Sequence, residues 1–477
     1  MTRKNFVKLL YTSFLFLYFL VGCSHKIVDP SENGEAIKNL TIFFINDQHG
    51  QIDNFAKIKY IVDEEKLKTN VIVACSGDIF SGNPVVDFHD QKGYPMIDMM
   101  NQVGFDISVL GNHEFDYGEE ILKQRIEQAN FKWVCANVST ENTKITQPKA
   151  YETITVGNVS VSFLGLLETN GKKGAVIPST HPWRIENFTF QNHEDIVSNY
   201  STVKKDENAD LYIALTHLGT GTDYELARNH SFFDMVIGGH SHQEINETIN
   251  QIPVYQSGSN LNKLGKIVIE IKNKKIISKN FELINLNQDL PEDETVKKNI
   301  IAYNNNSDLT KVIAIATVNH NTSATGCFIT HAFVEKLDLD LSFQNPGGVR
   351  AGIEKGEVTA KEIYSVTPFN NQMVVYYLTV GQVKQFLKNS QDAFYYSGLE
   401  ILQNGNNIVI KRNNNTLADD EIIKMGTQDY IAALYEEILP AEKTILPEND
   451  ASTLITYLTE INNVIDFENC YQYFKYN

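Results

Sequence analysis

Seven side chains of the types that bind metal ions each follow a short apolar run in this chain of 477 residues. They are Asp47, His49, Asp78, Asn112, His217, His240 and His242. Runs of this length bounded by Gly or Asp are typical of buried strands. If the strands share one sheet system, their carboxyl ends point to one rim, where open α/β sheets bind ligands. The Asp47-x-His49 and His240-x-His242 spacings fit this prediction, because residues two apart on an extended chain project from the same face.

These residue types predict a pair of divalent metal ions that share one carboxylate. Asp and His side chains with an Asn carbonyl form a mixed oxygen and imidazole ligand set, which suits Zn, Mn or Fe. Two such ions about 3.5–4 Å apart can hold a phosphate, polarise its phosphorus and lower the pKa of a bridging water. The expected reaction is therefore hydrolysis of a phosphate ester.

A single Asp or His at the end of a strand is more often a cap, a turn residue or a hydrogen-bonded polar group than a ligand. The prediction therefore depends on all seven side chains in their order. Histidines without such a context are assigned no function: His25, His89, His181, His193, His230, His320 and His331.

Five segments around these residues resemble the sequence blocks of a known family. The segments are Asn46-Asp47-Gln48-His49-Gly50, Ser76-Gly77-Asp78, Gly111-Asn112-His113-Glu114-Phe115-Asp116, Thr216-His217 and Gly238-Gly239-His240-Ser241-His242. They are similar, in the same order, to the blocks of calcineurin-like metallophosphoesterases. The similarity is closest to the 5'-nucleotidase branch, which includes UDP-sugar hydrolases and 2',3'-cyclic-nucleotide phosphodiesterases. The resemblance implies a catalytic domain folded as a four-layer α/β/β/α sandwich.

The same resemblance implies a role for each site residue. Asp78 would bridge the two ions. One ion would be completed by Asp47, His49 and His242, and the other by Asn112, His217 and His240. His113 would stabilise the transferring phosphoryl group or protonate the leaving oxygen, and Asp116 would orient its imidazole.

A second, smaller α+β domain at the C-terminus also resembles the family, as a substrate domain. The block 345–351 contains Asn345 and Arg350, and Val366-Thr367-Pro368-Phe369 stands where relatives carry the Phe that stacks on the base. Such stacking contributes about 1–3 kcal/mol per base. Tyr430 aligns with a second stacking aromatic, but the Gly-Gly-Asp that follows it in the family is replaced by residues 433–437, which favour a helix.

The N-terminus is typical of an exported lipoprotein. Basic residues precede an apolar stretch from Leu9 to Val21, which is too short for a membrane-spanning helix. Leu20-Val21-Gly22-Cys23 resembles a bacterial lipobox. Residues 1–22 are then a signal peptide, Cys23 carries the lipid, and 23–38 form a polar tether. We expect a protein of the bacterial cell envelope, anchored to a membrane; the alternative is an ordinary signal peptide cut nearby.

Composition agrees with a folded enzyme of more than one domain. A hydrophobic content of 42%, with 22 Tyr and 26 Phe, is sufficient for sizeable cores. The formal net charge of -18 argues against binding of a nucleic-acid polymer, which needs a basic surface. We expect the catalytic domain over 39–288, a polar connector over 289–310 and the substrate domain over 311–477. Cys75 and Cys135 are expected to be buried small residues.

The predicted function is that of a 5'-nucleotidase, which releases a nucleoside and phosphate from a nucleotide. The alternatives are a 2',3'-cyclic-nucleotide phosphodiesterase, a UDP-sugar hydrolase, or an inactive lipoprotein that captures nucleosides.

Overall fold

A computed structural model of the protein describes residues 36–390, 392–467 and 472–476. The strands of the first half are β1 Lys38–Ile45, β2 Asn70–Cys75, β3 Ile107–Val109, β4 Lys132–Val134, β5 Val138–Ser139, β6 Tyr151–Val156, β7 Val159–Leu167, β8 Thr189–Phe190, β9 Leu211–His217, β10 Met235–Ile237, β11 Glu244–Ile249, β12 Ile252–Ser257, β13 Lys263–Lys272 and β14 Lys275–Asn285. Its α-helices are α1 Phe55–Lys66, α2 Pro84–Asp87, α3 Tyr94–Val103, α4 Glu119–Gln128, α5 His193–Ile196, α6 Val203–Asp206 and α7 Thr220–Asn229. Short 3-10 helices cover His113–Phe115, Pro182–Arg184 and Val197–Tyr200.

Two sheets form the centre of this half. The first has the order β14-β13-β1-β2-β3-β4 and the second the order β11-β12-β10-β9-β7-β6. In the first sheet β1 pairs in parallel with β2 and antiparallel with β13. In the second sheet β9 pairs in parallel with β7 and β10. The apolar runs that precede the predicted ligands are thus central strands.

The two sheets pack face to face and helices cover their outer faces. Buried residues of both sheets, among them Phe44, Phe163 and Ile213, form one core between them. Helix α1 buries Phe55, Ile58 and Val62, spaced three and four apart, in a second core on the outer face of the first sheet. A third core lies under α7 on the other side of the second sheet. This arrangement confirms the predicted α/β/β/α sandwich.

The segment predicted as a polar connector is mostly helical and packs on the first half. It contains α8 Glu294–Asn304 and α9 Ser307–Thr310. Val296, Ile300 and Leu309 are buried in the same core as α1. Since the two buried apolar residues of α8 are spaced four apart, one face of the helix packs on the first half.

The second half is an α+β unit. Its strands are β15 Val312–Ala316, β16 Leu341–Gln344, β17 Gly356–Thr359, β18 Gln372–Thr379, β19 Ala393–Gly398, β20 Glu400–Asn404, β21 Asn407–Arg412, β22 Asn415–Thr416, β23 Ile422–Gln428, β24 Thr444–Asn449, β25 Val464–Ile465 and β26 Tyr473–Lys475. Its helices are α10 Thr322–Leu337, α11 Ala360–Val366, α12 Val380–Ser390, α13 Asp429–Leu434 and α14 Asp450–Glu460, with a 3-10 turn over Pro346–Gly348. The main sheet has the order β24-β18-β23-β16-β19-β26.

Alternating residues of β18 divide the second half into two cores. Val374 and Tyr376 face the core that contains α12, whereas Met373 and Val375 face the core that contains α10 and α14. From Ile37 onward the chain belongs to one compact unit. The two halves are therefore in contact, which matters for the site below.

Several sequence predictions concern the N-terminus and the cysteines. The predicted signal peptide, Cys23 and most of the tether lie outside the described residues. None of the helices in the described ranges has the length and apolar character needed to cross a bilayer. Cys75 and Cys135 are buried, as predicted, and both have free thiols.

Candidate metal centre and active site

The seven predicted ligands come together where strands of both sheets end. Asp47, His49, Asp78 and Asn112 follow strands of the first sheet, whereas His217, His240 and His242 end or follow strands of the second. Two groups of potential ligand atoms result: Asp47, His49, Asp78 and His242 in one, and Asp78, His217 and His240 in the other. Asp78 belongs to both groups, and each group draws on both sheets.

The backbone at these positions turns sharply. Asp47, His49, Asp78, His240 and His242 all have positive φ, between 49° and 78°. The extended-chain explanation of the Asp-x-His and His-x-His spacings is therefore wrong: the side chains of each pair converge because the chain bends in the left-handed region. This region is sparsely populated by residues other than Gly, and such conformations concentrate at functional sites.

The side chains of the first group are within reach of one ion. His49 Nε2 lies 2.9 Å from His242 Nε2 and 3.9 Å from Asp78 Oδ2. His242 Nε2 lies 3.6 Å from Asp47 Oδ1. His49 Nδ1 donates to the Ser81 carbonyl at 3.1 Å, which leaves the lone pair of Nε2 facing the other ligands.

In the second group, a histidine is oriented in the same way by a backbone carbonyl. His217 Nδ1 donates to the Ser76 carbonyl at 2.6 Å, and its Nε2 lies 3.1 Å from Asp78 Oδ2. Asn112 Oδ1 lies 3.2 Å from His217 Nε2 and 3.0 Å from His240 Nδ1. Imidazoles oriented by a backbone carbonyl, with carboxylate and amide oxygens, form a ligand set that fits a pair of divalent cations.

Burial and charge shift the protonation of these groups strongly. Burial raises the pKa of Asp47 to about 7, although His217 opposes the shift. Burial acts against the charged form of Asp78 too, but His217 and His113 outweigh it and hold the pKa of Asp78 well below its ordinary value. Burial lowers the pKa of His217, Asp78 raises it, and the resulting pKa is about 10. A metal cation bound here would replace the proton on His217, because histidine binds metals in its neutral form.

His113 and Asp116 form a hydrogen-bonded pair beside Asp78. His113 Nδ1 lies 2.6 Å from Asp116 Oδ2, and its Nε2 lies 3.9 Å from Asp78 Oδ2. Burial lowers the pKa of His113, but Asp116 and Asp78 outweigh it and the pKa is raised. Burial raises the pKa of Asp116, but His113 outweighs it and the pKa is lowered. The pair therefore favours a charged imidazole that donates toward the centre.

The Asp78 loop is held by a residue that sequence reasoning did not single out. The Glu114 carboxylate accepts hydrogen bonds from the backbone N–H groups of Asp78 at 3.0 Å, Ile79 at 2.7 Å and Gly111. A Cβ on Gly77 would lie 2.8 Å from His217 Nδ1, so only glycine allows this approach. Glu114 was visible in the sequence as part of the motif 111–116, but its contacts were not.

A cavity of about 360 Å³ opens over the centre and is lined by both halves. Asn345, Arg350, Phe369 and Tyr430 of the second half all line it. The Phe369 ring stacks on His113 with centroids 5.5 Å apart and an angle of 12°. The Arg350 guanidinium lies 5.7 Å from the centre of the Phe369 ring, and its Nη2 lies 3.4 Å from His49 Nε2. The structure thus brings these four predicted residues to the cavity over the candidate metal centre.

The helix predicted over 433–437 is only partly present. Helix α13 covers Asp429–Leu434, so it includes Ala433 and Leu434 but ends before Tyr435. Tyr435 is buried beside Phe386 and Phe394, and its backbone leaves the helical region. Packing of this ring in the core overrides the helix propensity of the residues after it.

One wall of the cavity was not predicted at all. Residues 179–184 of the first half line it through Ser179, Thr180, His181 and Arg184. The Ser179 carbonyl accepts a hydrogen bond from Asn112 Nδ2 at 3.0 Å, and Thr180 Oγ1 donates to Asp116 Oδ1 at 2.8 Å. This segment carries no periodic pattern, and only its tertiary contacts reveal its position.

Two family models match the chain. Residues 40–244 match the calcineurin-like phosphoesterase model, and residues 300–436 match the 5'-nucleotidase C-terminal domain. Together these matches cover more than half of the chain.

Individual relatives agree with these matches. The chain is 27% identical over 431 residues to the trifunctional nucleotide phosphoesterase protein YfkN of Bacillus subtilis, over 79% of this chain and 28% of YfkN. It is 26% identical over 443 residues to a 5'-nucleotidase of Vibrio vulnificus, over 77% of this chain and 78% of that protein. The chain therefore spans less than a third of the length of YfkN.

A solved structure shares the fold. The crystal structure of a 5'-nucleotidase precursor from Thermus thermophilus is similar with a TM-score of 0.77 and 21% identity, over 90% of this chain and 100% of that one. The chain thus belongs to the calcineurin-like phosphoesterases that carry a 5'-nucleotidase C-terminal domain, which confirms the family resemblance of its sequence motifs.

Proposed function

We propose that this protein hydrolyses phosphate esters of nucleotides at a pair of divalent metal ions, giving a nucleoside and phosphate. The observation that carries the proposal is the position of Asp78, which belongs to both groups of ligands. The cavity beside it is lined by Arg350 and Phe369 from the other half of the chain. Nucleotides are also named as substrates for YfkN and for the Vibrio 5'-nucleotidase.

The ligands divide between two ions. Asp47, His49 and His242 would hold one ion together with Asp78, and Asn112, His217 and His240 would hold the other together with Asp78. The mixed set of oxygen and imidazole ligands favours Zn, Mn or Fe. When bound, such a pair supplies Lewis acidity and lowers the pKa of a nearby water.

The protein's own residues act on the phosphoryl group around this centre. His113 donates from Nε2 to a phosphoryl or leaving-group oxygen, while Asp116 holds its ring through Nδ1 at 2.6 Å. Groups of this kind typically contribute about 10²–10⁴ in rate. Arg350 supplies a second positive charge to the phosphate from its position beside the Phe369 ring.

The nucleoside is proposed to bind between the aromatic side chains of the cavity. Phe369 and Tyr430 both line it, and Asn345 lies at its wall with Arg350. Stacking of a base on such rings contributes about 1–3 kcal/mol to the free energy of binding and discriminates little between the different bases. The net charge of -18 does not favour a nucleic-acid polymer, so the substrate is a free nucleotide.

A substrate panel with the metal-loaded protein tests the proposal. Release of phosphate from AMP supports a 5'-nucleotidase, whereas preference for a 2',3'-cyclic nucleotide or UDP-glucose favours the two alternatives. Metal binding without turnover of any ester would contradict the proposal and support the inactive nucleoside-binding protein instead.

We also propose that the protein is exported and anchored through a lipid on Cys23. A lipoprotein cysteine bears several acyl chains, and one chain alone gives only marginal membrane binding. Cys23→Ser is expected to prevent lipidation and to move activity away from the membrane fraction, or to leave the precursor uncut. A wild-type protein that is soluble and lacks Cys23 at its mature N-terminus would contradict the anchor.

A further inference from the structure

Arg184 joins the two halves of the chain at the active site. It belongs to the 3-10 helix Pro182–Arg184 of the first half and lines the cavity. Its Nη1 donates to the backbone carbonyl of Asp116, and its Nη2 donates to the backbone carbonyl of Phe369 at 3.1 Å. One guanidinium thus holds the loop of the proposed catalytic pair and the loop of the proposed stacking ring.

One backbone carbonyl in each loop depends on this side chain for its hydrogen bond. Among the described residues, the carbonyls of Asp116 and Phe369 accept no other hydrogen bond. The planar guanidinium can serve two acceptors at fixed angles, which a lysine ammonium on its flexible stem cannot reproduce. Loss of Arg184 would leave both carbonyls without a protein donor at an inter-half contact.

The position of each loop determines the position of a ring at the site. Asp116 orients His113, and the Phe369 ring stacks on that same His113 at 5.5 Å. A shift of the Asp116 loop changes the direction in which His113 Nε2 points, whereas a shift of the Phe369 loop moves the ring that is proposed to stack on the base. Burial raises the pKa of Asp116, and Arg184 joins His113 in lowering it, so Arg184 also favours the ionised carboxylate.

Neighbouring contacts keep the segment that carries Arg184 in place. His181 is buried, and its Nε2 lies 3.3 Å from Asp429 Oδ1 of the second half. Trp183 Nε1 donates to Glu436 Oε2 at 3.4 Å. The segment is therefore docked on α13, and the Arg184 guanidinium is held against both loops.

We propose that Arg184 is a positioning residue that couples binding of the nucleoside to the orientation of His113. It acts through Asp116 on the phosphoryl step and through Phe369 on the nucleoside. This inference rests on the proposed function, because it assigns the cavity beside Phe369 to a nucleoside.

The proposal predicts that loss of Arg184 changes both kcat and the KM for AMP, because the side chain bonds both loops. In the metal-loaded enzyme, Arg184→Met should lower kcat about tenfold or more for both AMP and p-nitrophenyl phosphate, since a hydrogen bond from a charged donor is lost. It should also raise the KM for AMP about tenfold, but not the KM for p-nitrophenyl phosphate, which has no nucleoside. Calorimetry should show a matching loss of adenosine affinity. Arg184→Lys should recover part of each effect.

A double mutant tests whether Arg184 acts through Asp116. Asp116→Asn keeps the backbone carbonyl that Arg184 bonds and removes only the charge of the carboxylate. Asp116→Asn and Asp116→Asn/Arg184→Met should have the same kcat for p-nitrophenyl phosphate within about twofold, because Arg184 is proposed to affect the phosphoryl step by way of that carboxylate. Arg412→Met is the matched control: Arg412 also bridges two partners, Glu421 and Asp340, but does not line the cavity. Thermal unfolding of each variant separates loss of function from loss of fold.

Three results would overturn the proposal: unchanged kcat and KM in Arg184→Met, rate losses that multiply in the double mutant, or an unchanged affinity for adenosine. The p-nitrophenyl phosphate measurements do not depend on the nucleotide. A wild-type enzyme that cleaves this ester but not AMP would refute the proposed substrate, while the double mutant would still decide whether Arg184 acts through Asp116.

Discussion

Replacement of Asp116 by Asn tests the proposed catalytic pair most directly. The change keeps the shape of the side chain and removes its charge. Asp116 accepts two hydrogen bonds, from His113 Nδ1 at 2.6 Å and from Thr180 Oγ1 at 2.8 Å. The two donors reach different oxygens, and an Asn side chain has an acceptor oxygen at only one of these positions, so it serves only one of the two donors in this geometry. In either orientation of the amide, His113 loses its negatively charged partner and with it the charge-assisted hydrogen bond.

The expected loss follows from the strength of that bond. A hydrogen bond to a charged group contributes about 1.5–3 kcal/mol, which corresponds to roughly 10- to 150-fold in kcat if it is realised in the transition state. Thr180→Val is the control with a smaller expected loss in kcat, because it removes only the neutral hydroxyl that donates to Asp116. That change is worth about 0.5–1.5 kcal/mol, or roughly 2- to 12-fold.

The assay is kcat for p-nitrophenyl phosphate at saturating substrate, with metal content measured on the same samples. Asp116 is not a ligand in this interpretation, so both variants should keep the metal content of wild type. An Asp116→Asn enzyme within about twofold of wild type in kcat would refute the orienting role. A variant that loses metal would instead make Asp116 part of the metal site.

Three further predictions concern the metal centre, the nucleoside and the buried acids. Asp78→Ala should lose bound metal and activity, because Asp78 belongs to both ligand groups, whereas His113→Ala should keep its metal and lose only rate; metal analysis of both decides this. Phe369→Ala should raise the KM for AMP about tenfold through one lost stack and leave the KM for p-nitrophenyl phosphate unchanged, and equal KM values for AMP would contradict a base contact. Burial raises the pKa of Asp87 to about 7, so this carboxyl destabilises the fold increasingly as pH rises from its unfolded pKa toward 7. Asp87→Asn should therefore be neutral near pH 4 and stabilising by up to about 4 kcal/mol at pH 8, measured by urea unfolding, and no gain at pH 8 would refute the shift.

The catalytic half could be predicted from the sequence in most of its parts. Strands such as β1, β2 and β9 are continuous apolar runs, which are typical of buried parallel strands, and the carboxyl ends of parallel strands lie at one edge of a sheet. The hydrophobic pattern of the sequence could not reveal that these strands belong to two sheets, because the spacing of apolar residues along the chain does not show which strands pair. It also could not reveal the left-handed backbone at Asp47 and His49, which depends on the loop as a whole.

The parts that were missed depend on contacts between distant segments. His181 and Arg184 come after the short apolar run 175–177, which forms only an isolated bridge and no strand of a sheet, so their position at the cavity results from docking on α13. The stacking of Phe369 on His113 requires the relative placement of the two halves, which no local pattern encodes. The end of α13 at Leu434 depends on how the Tyr435 ring packs.

The position of β1 in its sheet determines which fragments of the chain can fold. β1 lies between β2 and β13, and β13 is followed by β14 at the edge of the sheet. A fragment that ends before Lys263 would leave the buried apolar strand β1 with a free edge, which is a template for intermolecular pairing and aggregation. During synthesis β1 must likewise wait for the whole catalytic half to emerge before its antiparallel partner exists, since Leu40 pairs with Ile269. Such long-range pairing slows folding, and it would lengthen the time during which the strand stays available to chaperones.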